Sequence, residues 1–199
     1  MLAANFLTNE QTQIQNLKFN RMPSGKTHDA ITFLLAAPTF AAVWKLTEQN
    51  VSIASIVTIA FVFGGLMFGP DLDTCSTQYT RWSIFRFLWY PYQAFFAHRS
   101  RWSHGLLFGT LFRVVYFMGV LTLFGFLLIC IYRTAFGGNA ANLMEFTKTW
   151  TLIGEFVRAR IGEHTFLSVF IGLWLGAASH TFTDIAGSFV KTGRSGEFI

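Results

Sequence analysis

Charge is scarce in this chain. Asp, Glu, Lys and Arg make up 13% of its 199 residues, about half the roughly 25% of an average soluble domain. Hydrophobic residues reach 52% and the mean hydropathy is +0.43, which argues against a water-soluble globule and for an integral membrane protein. Cysteine is nearly absent. Cys75 and Cys130 are too few for a disulfide framework and lack zinc-finger spacing. Cys130 sits in an apolar run and reads as a packing residue, whereas Cys75 lies close to Asp73. There is no basic recognition helix and no RNA-binding fingerprint, so nucleic acid is not an expected partner. The net charge of +5 points instead to anionic lipid headgroups and to control of topology.

What the chain does have is long apolar runs. Residues 1–27 are polar and read as an N-terminal segment. Four apolar segments follow, from about Ala30 to Trp44, from Val51 to Gly69, from near His104 to about Tyr132, and from about Phe166 to Ala178. A span needs roughly 20 mostly apolar residues. The second and third meet that length outright, and the first and fourth must borrow flanking residues or tilt. The expected fold is therefore all-α and membrane-integral, with about four transmembrane helices. The membrane domain is placed at 28–185 and a C-terminal tail at 186–199. Two aromatic or amphipathic stretches, Trp82–Phe96 and Trp150–Ile161, are expected to lie at the interface.

The polar residues are as unevenly placed as the apolar ones. Every aspartate, and every histidine but His164, falls beside the end of an apolar segment. The groups are His28-Asp29, Asp71-Leu72-Asp73, His98-Arg99 with Ser103-His104, and His180 with Asp184. Spans that alternate in direction bring all four groups to one face. Lys and Arg are more numerous there than on the opposite face, and the positive-inside rule then places both termini and the site in the cytoplasm.

These residue types suit a metal. His180 and Asp184, four apart, share one face of a helix. Asp71 and Asp73 follow Gly69-Pro70, and an extended turn would aim both carboxylates at one centre. Such a pair repels itself unless a cation or a proton intervenes. Of His28 and Asp29, one reads as a ligand and the other as an N-cap or a supporting partner. His28, Asp71, Asp73, His104, His180 and Asp184, with His98 as a seventh, are the candidate ligands for one or two divalent ions. Zinc, manganese and iron all suit a mixed imidazole and carboxylate set. Asp71 or Asp73 is a candidate general base, and Arg99 a candidate clamp for a phosphoryl oxygen. Arg113, inside the third segment, reads as a structural or lipid-phosphate contact.

The motifs Met22-Pro23-Ser24-Gly25-Lys26-Thr27-His28-Asp29, Gly69-Pro70-Asp71-Leu72-Asp73-Thr74, His98-Arg99 through His104-Gly105, and Ser179-His180 through Asp184 resemble a bacterial membrane-bound, metal-dependent hydrolase family, known from a LexA-regulated inner-membrane protein. They resemble still more closely its relatives described only as metal-binding membrane proteins. The resemblance implies that His28, Asp71, Asp73, His98, His104, His180 and Asp184 are metal-site residues with Arg99 beside them. The expected function is a membrane hydrolase acting on a phosphoester or lipid-linked substrate. The alternative is a non-catalytic metal-binding subunit or assembly factor of a larger membrane complex. Membrane lipids are the expected surroundings, and a homodimer is left open.

Overall fold

The computed structural model describes residues 25–96, 105, 108–136 and 142–192. Among them the chain forms seven α-helices and no strand. The helices are α1 (Gly25–Leu46), α2 (Val51–Met67), α3 (Thr77–Arg81), α4 (Tyr90–Phe95), α5 (Phe108–Ala135), α6 (Leu143–Arg160) and α7 (Thr165–Thr192). Two 3₁₀ turns, Pro70–Asp73 and Ser83–Trp89, sit between α2 and α4.

Three helices are long and apolar enough to cross a membrane: α1, α5 and the Thr165–Gly187 part of α7. Helix α2 is apolar but has 17 residues, because the Pro70 ring cannot continue the helix and the chain turns into a 3₁₀ helix there. Helices α1 and α7 gain their length from flanks that hydropathy undervalues, Gly25–Asp29 and Ser179–Thr192. The helix α7 thus runs past residue 185, where the sequence places the start of a tail. Large apolar side chains such as Phe33, Leu34, Leu123, Ile131, Phe166 and Leu167 are exposed along these helices. In water they would form apolar patches far beyond those of a soluble monomer.

Among the described residues, helices α2 and α7 form the most extensive contact, and α1 packs mainly on α2. The α2–α7 approach brings backbone against backbone. A Cβ added at Gly176 would lie 2.1 Å from the Phe61 carbonyl oxygen, so only glycine fits this crossing, as at close helix contacts in membranes. At the entry to α2 the Asn50 side chain accepts from the Ile53 amide at 3.0 Å, a standard N-cap.

The stretch expected at the interface breaks into α3, the 3₁₀ turn and α4, with Pro91 at the first turn of α4, where its missing N–H costs nothing. Its aromatics pack inward as well as outward. Trp89 and Tyr92 are fully buried with Phe68 and Leu72. Trp89 stacks on Phe117 of α5, with ring centroids 5.7 Å apart. This cluster attaches the 82–96 stretch to α5 and to the end of α2. Helix α6 is largely exposed, with Arg158 and Arg160 in its last turn, and touches α5 through Phe146 on Phe126.

Candidate metal centre

The first turn of α1, the turn after α2 and the C-terminal half of α7 meet at one end of the bundle. His28 lies in the first turn of α1 because that helix begins at Gly25. His180 and Asp184 lie one turn apart on α7, as their spacing requires. His28 Nε2 is 3.1 Å from Asp184 Oδ1, and His180 Nε2 is 3.7 Å from Asp184 Oδ2. The two imidazoles stack with centroids 3.8 Å apart and planes 14° from parallel. Asp71 joins from the turn after α2, its Oδ2 3.2 Å from His180 Nε2. His28, His180 and Asp184 can each offer a ligand atom such that these atoms all lie within 4.8 Å of one another.

Burial grades across the group. His28 and His180 are 6% and 4% exposed, Asp184 14% and Asp71 33%. The imidazoles thus form the floor and Asp71 the rim. Two imidazole nitrogens and a carboxylate are a donor set that suits zinc, iron or manganese. His28 Nδ1 is buried with no hydrogen-bond partner among the described residues, and the ring is held by its stacking on His180 and by Asp184 at its Nε2. That chemistry fits a divalent cation. His28, His180 and Asp184 would hold it, and Asp71 stands near enough to add a fourth ligand or to face its open side.

Asp71 and Asp73 part company. The sequence suggested an extended turn that aims both carboxylates one way. The turn is 3₁₀ instead, and at three residues per turn positions two apart point in different directions. Thr74 and Ser76 donate to the Asp71 carbonyl at 3.3 and 2.7 Å and fix that geometry. Asp71 turns to His180. Asp73 is buried and acts electrostatically on Tyr92 and on Arg113, the latter within reach of Asp71 as well. The Tyr92 phenol is pushed above its ordinary range, first by burial; Asp73 adds to that rise and Arg113 opposes it.

Arg113 is not a lipid-phosphate contact. It is 2% exposed, inside the protein, and donates to Thr110 Oγ1 at 3.1 Å. A lone charge in a membrane-spanning helix must face an interior partner, and the Asp73 side supplies one. His98, Arg99 and His104 lie outside the described residues. Asp29 pairs with Arg81 rather than capping α1.

Sequence reasoning passed over Gln78. Its side chain is buried and its Nε2 lies 3.2 Å from His180 Nδ1. The available signal was spacing. Gln78 and Arg81, three apart, share one face of α3, and that face turns toward the aspartate and histidine group.

Fold and site together define an all-α protein with three helices of membrane-spanning length and a buried His/His/Asp group able to hold a metal ion. Residues 23–194 match the family described as uncharacterized metal-binding protein (DUF2227), and the chain belongs to that family. A protein of Aquifex aeolicus (strain VF5), described as an uncharacterized protein, is 28% identical over 134 residues, which cover 67% of this chain and 90% of its own. No solved structure matches the chain.

Proposed function

We propose that this protein is an integral membrane, divalent-metal-dependent hydrolase whose site works at the cytoplasmic surface on a phosphoester of a lipid-linked substrate. The observation that carries the reading is the convergence of His28, His180, Asp184 and Asp71 from three separate elements at one end of an apolar bundle. Two histidines and one aspartate leave coordination positions open, as catalytic sites do. A bound ion would polarise a substrate oxygen and make water a stronger nucleophile near neutral pH. Asp71 is the most exposed carboxylate of the group and is placed to take a proton at its Oδ2. The membrane domain has four spans in this reading, with α2 and its following turn together crossing.

A groove of about 640 Å³ runs between α1 and α7. Ile31, Leu35, Phe61, Leu175 and Val190 line it, together with Thr27, Ser179 and Thr183, which neighbour His28, His180 and Asp184 in the sequence. An apolar groove that passes a polar site at one level supports a substrate with a hydrocarbon chain.

One observation favours the non-catalytic alternative. His28 and His180 are nearly sealed and link α1 to α7, as in a structural site whose metal contributes folding energy. Purified full-length protein, its metal content measured, would be incubated with a panel of phospholipids and polyprenyl phosphates. Turnover that Asp71→Ala abolishes while metal stays bound supports the hydrolase. Bound metal without turnover across the panel sinks it in favour of the structural site.

A further inference from the structure

The last turn of a helix leaves carbonyls without helical partners, and at the end of α2 three successive ones are taken by side chains from just downstream. Gln78 Nε2 donates to the Gly65 carbonyl at 2.9 Å. Arg81 Nη1 donates to the Leu66 carbonyl at 2.8 Å, and Trp82 Nε1 to the Met67 carbonyl at 2.9 Å. Two of the three reach a second helix as well. Arg81 Nη2 holds Asp29 of α1, and Gln78 Nε2 lies 3.2 Å from His180 Nδ1 of α7. Helix α3 is therefore a clamp between the end of α2 and the two helices that supply the histidines.

The Gln78 amide has little freedom of position. A Cβ at residue 69 would lie 2.3 Å from its nitrogen, so the amide fits only because Gly69 has no side chain. Its freedom lies in which end faces the imidazole. The amide nitrogen gives one hydrogen to the Gly65 carbonyl and has one left for Nδ1. Nδ1 then accepts, and the ring proton sits on Nε2, toward Asp71 and Asp184. Ligation through Nε2 needs the opposite arrangement, with the proton on Nδ1 and an acceptor beside it, as in most metal-bound histidines. Gln78 Oε1 can be that acceptor. It is buried and has no hydrogen-bond partner among the described residues.

We propose that Gln78 is the positioning residue of the metal site, holding His180 by its amide nitrogen and, when an ion binds through Nε2, turning its amide oxygen to Nδ1–H at the expense of the hydrogen bond to the Gly65 carbonyl. The proton lost from Nε2 leaves to solvent or to Asp71, and Nδ1 takes one up from water, so the ring is neutral before and after. The proposal rests on the reading of His180 as a ligand.

The test is a Co²⁺ titration of the full-length chain in detergent, followed by visible absorption and by Zn²⁺ competition, with thermal melting alongside. Gln78→Leu should weaken binding by roughly ten- to a hundredfold, the usual effect of losing such a partner. Gln78→Glu keeps an acceptor and loses the donor, so it should bind at least as tightly as wild type although it melts lower. Trp82→Phe removes a cap from the same row of carbonyls and should lower melting with no change in Co²⁺ affinity. If Gln78→Leu binds like wild type, or Gln78→Glu weakens as much as Gln78→Leu, Gln78 does not position His180. Should Gln78→Leu fail to fold, the Glu variant alone decides. Failure of wild type to bind Co²⁺ or Zn²⁺ overturns the metal-site reading itself and this proposal with it, an outcome distinct from the others.

Discussion

His28 and His180 lie far apart in sequence, yet their rings stack 3.8 Å apart, and Asp184 stands before both Nε2 atoms. Few other contacts join α1 to α7, so this junction rests on the site. His28→Ala, His180→Ala and Asp184→Ala should each reduce the bound ion to a small fraction of wild type. Removal of even a supporting partner typically costs ten- to a hundredfold in affinity, roughly, and loss of a ligand costs more. Metal analysis by mass spectrometry on detergent-purified protein checks this. Stoichiometric metal in His180→Ala would refute the assignment.

An ion that bridges α1 and α7 should also stabilise the bundle. At a free concentration a hundred times its dissociation constant, a ligand specific for the folded state contributes about 2.7 kcal/mol. Chelation should therefore lower the melting temperature, and added Zn²⁺ should restore it. The same treatment should expose the start of α1 to limited proteolysis, since α1 loses the tie to α7 while keeping its packing on α2. An unchanged melt after complete removal of metal would show that the ion does not hold the helices together.

Asp73 acts electrostatically on buried Arg113, as Asp71 also does, but Asp73 is itself buried whereas Asp71 stands at the rim. Breaking a buried charge pair from one side costs about 3–5 kcal/mol, because the remaining charge stays buried without compensation. Asp73→Asn and Arg113→Met should each destabilise strongly. The double variant should lose less than the sum of the two, and a double-mutant cycle in thermal or chemical unfolding measures the difference. Asp71→Asn, at the exposed rim, should change metal affinity far more than stability.

The same residues show where the sequence was legible. Segment hydropathy located the apolar parts of α1, α2, α5 and α7, because burial in lipid or protein demands apolar side chains along a whole helix. It cut α1 and α7 short, since Gly25–Asp29 and Ser179–Asp184 are helical but mostly polar, with His28, His180 and Asp184 turned to the site. The i, i+4 spacing of His180 and Asp184 carried directly into geometry. The spacing of Asp71 and Asp73 did not, because two residues apart means the same side in a strand and different sides in a 3₁₀ turn. Arg113 looked isolated because its partners, Asp73 and Tyr92, depend on how α5 packs on the turn after α2. Gln78 carries no charge and no motif, and only the fold brings it to His180.

Gly176 tests the packing that sets these distances. With the Phe61 carbonyl 2.1 Å from where a Cβ would stand, even Gly176→Ala must push α7 away from α2. Overpacking of this kind costs about 1–3 kcal/mol. Because Asp71 follows α2 and His180 lies on α7, the same shift should pull them apart. Gly176→Ala is thus expected to lower both the melting temperature and the metal affinity. A variant that melts lower and binds metal normally would show that the site tolerates movement at this crossing.

Cys75 offers a test of orientation. It is exposed and follows the Pro70–Asp73 turn, on the same end of the bundle as the metal site. Cys130 lies in the last two turns of α5, which starts near that end and runs away from it. With Cys130 replaced by Ala, a membrane-impermeant maleimide added to sealed vesicles should label Cys75 only where the cytoplasmic surface faces out. Inverted vesicles should react and right-side-out vesicles should not, until detergent opens them. The expectation follows from the excess of Lys and Arg on the site face, which resists transfer across the membrane. Labelling of right-side-out vesicles would place the site on the outer surface, and a hydrolase there would meet a different set of lipid-linked phosphoesters.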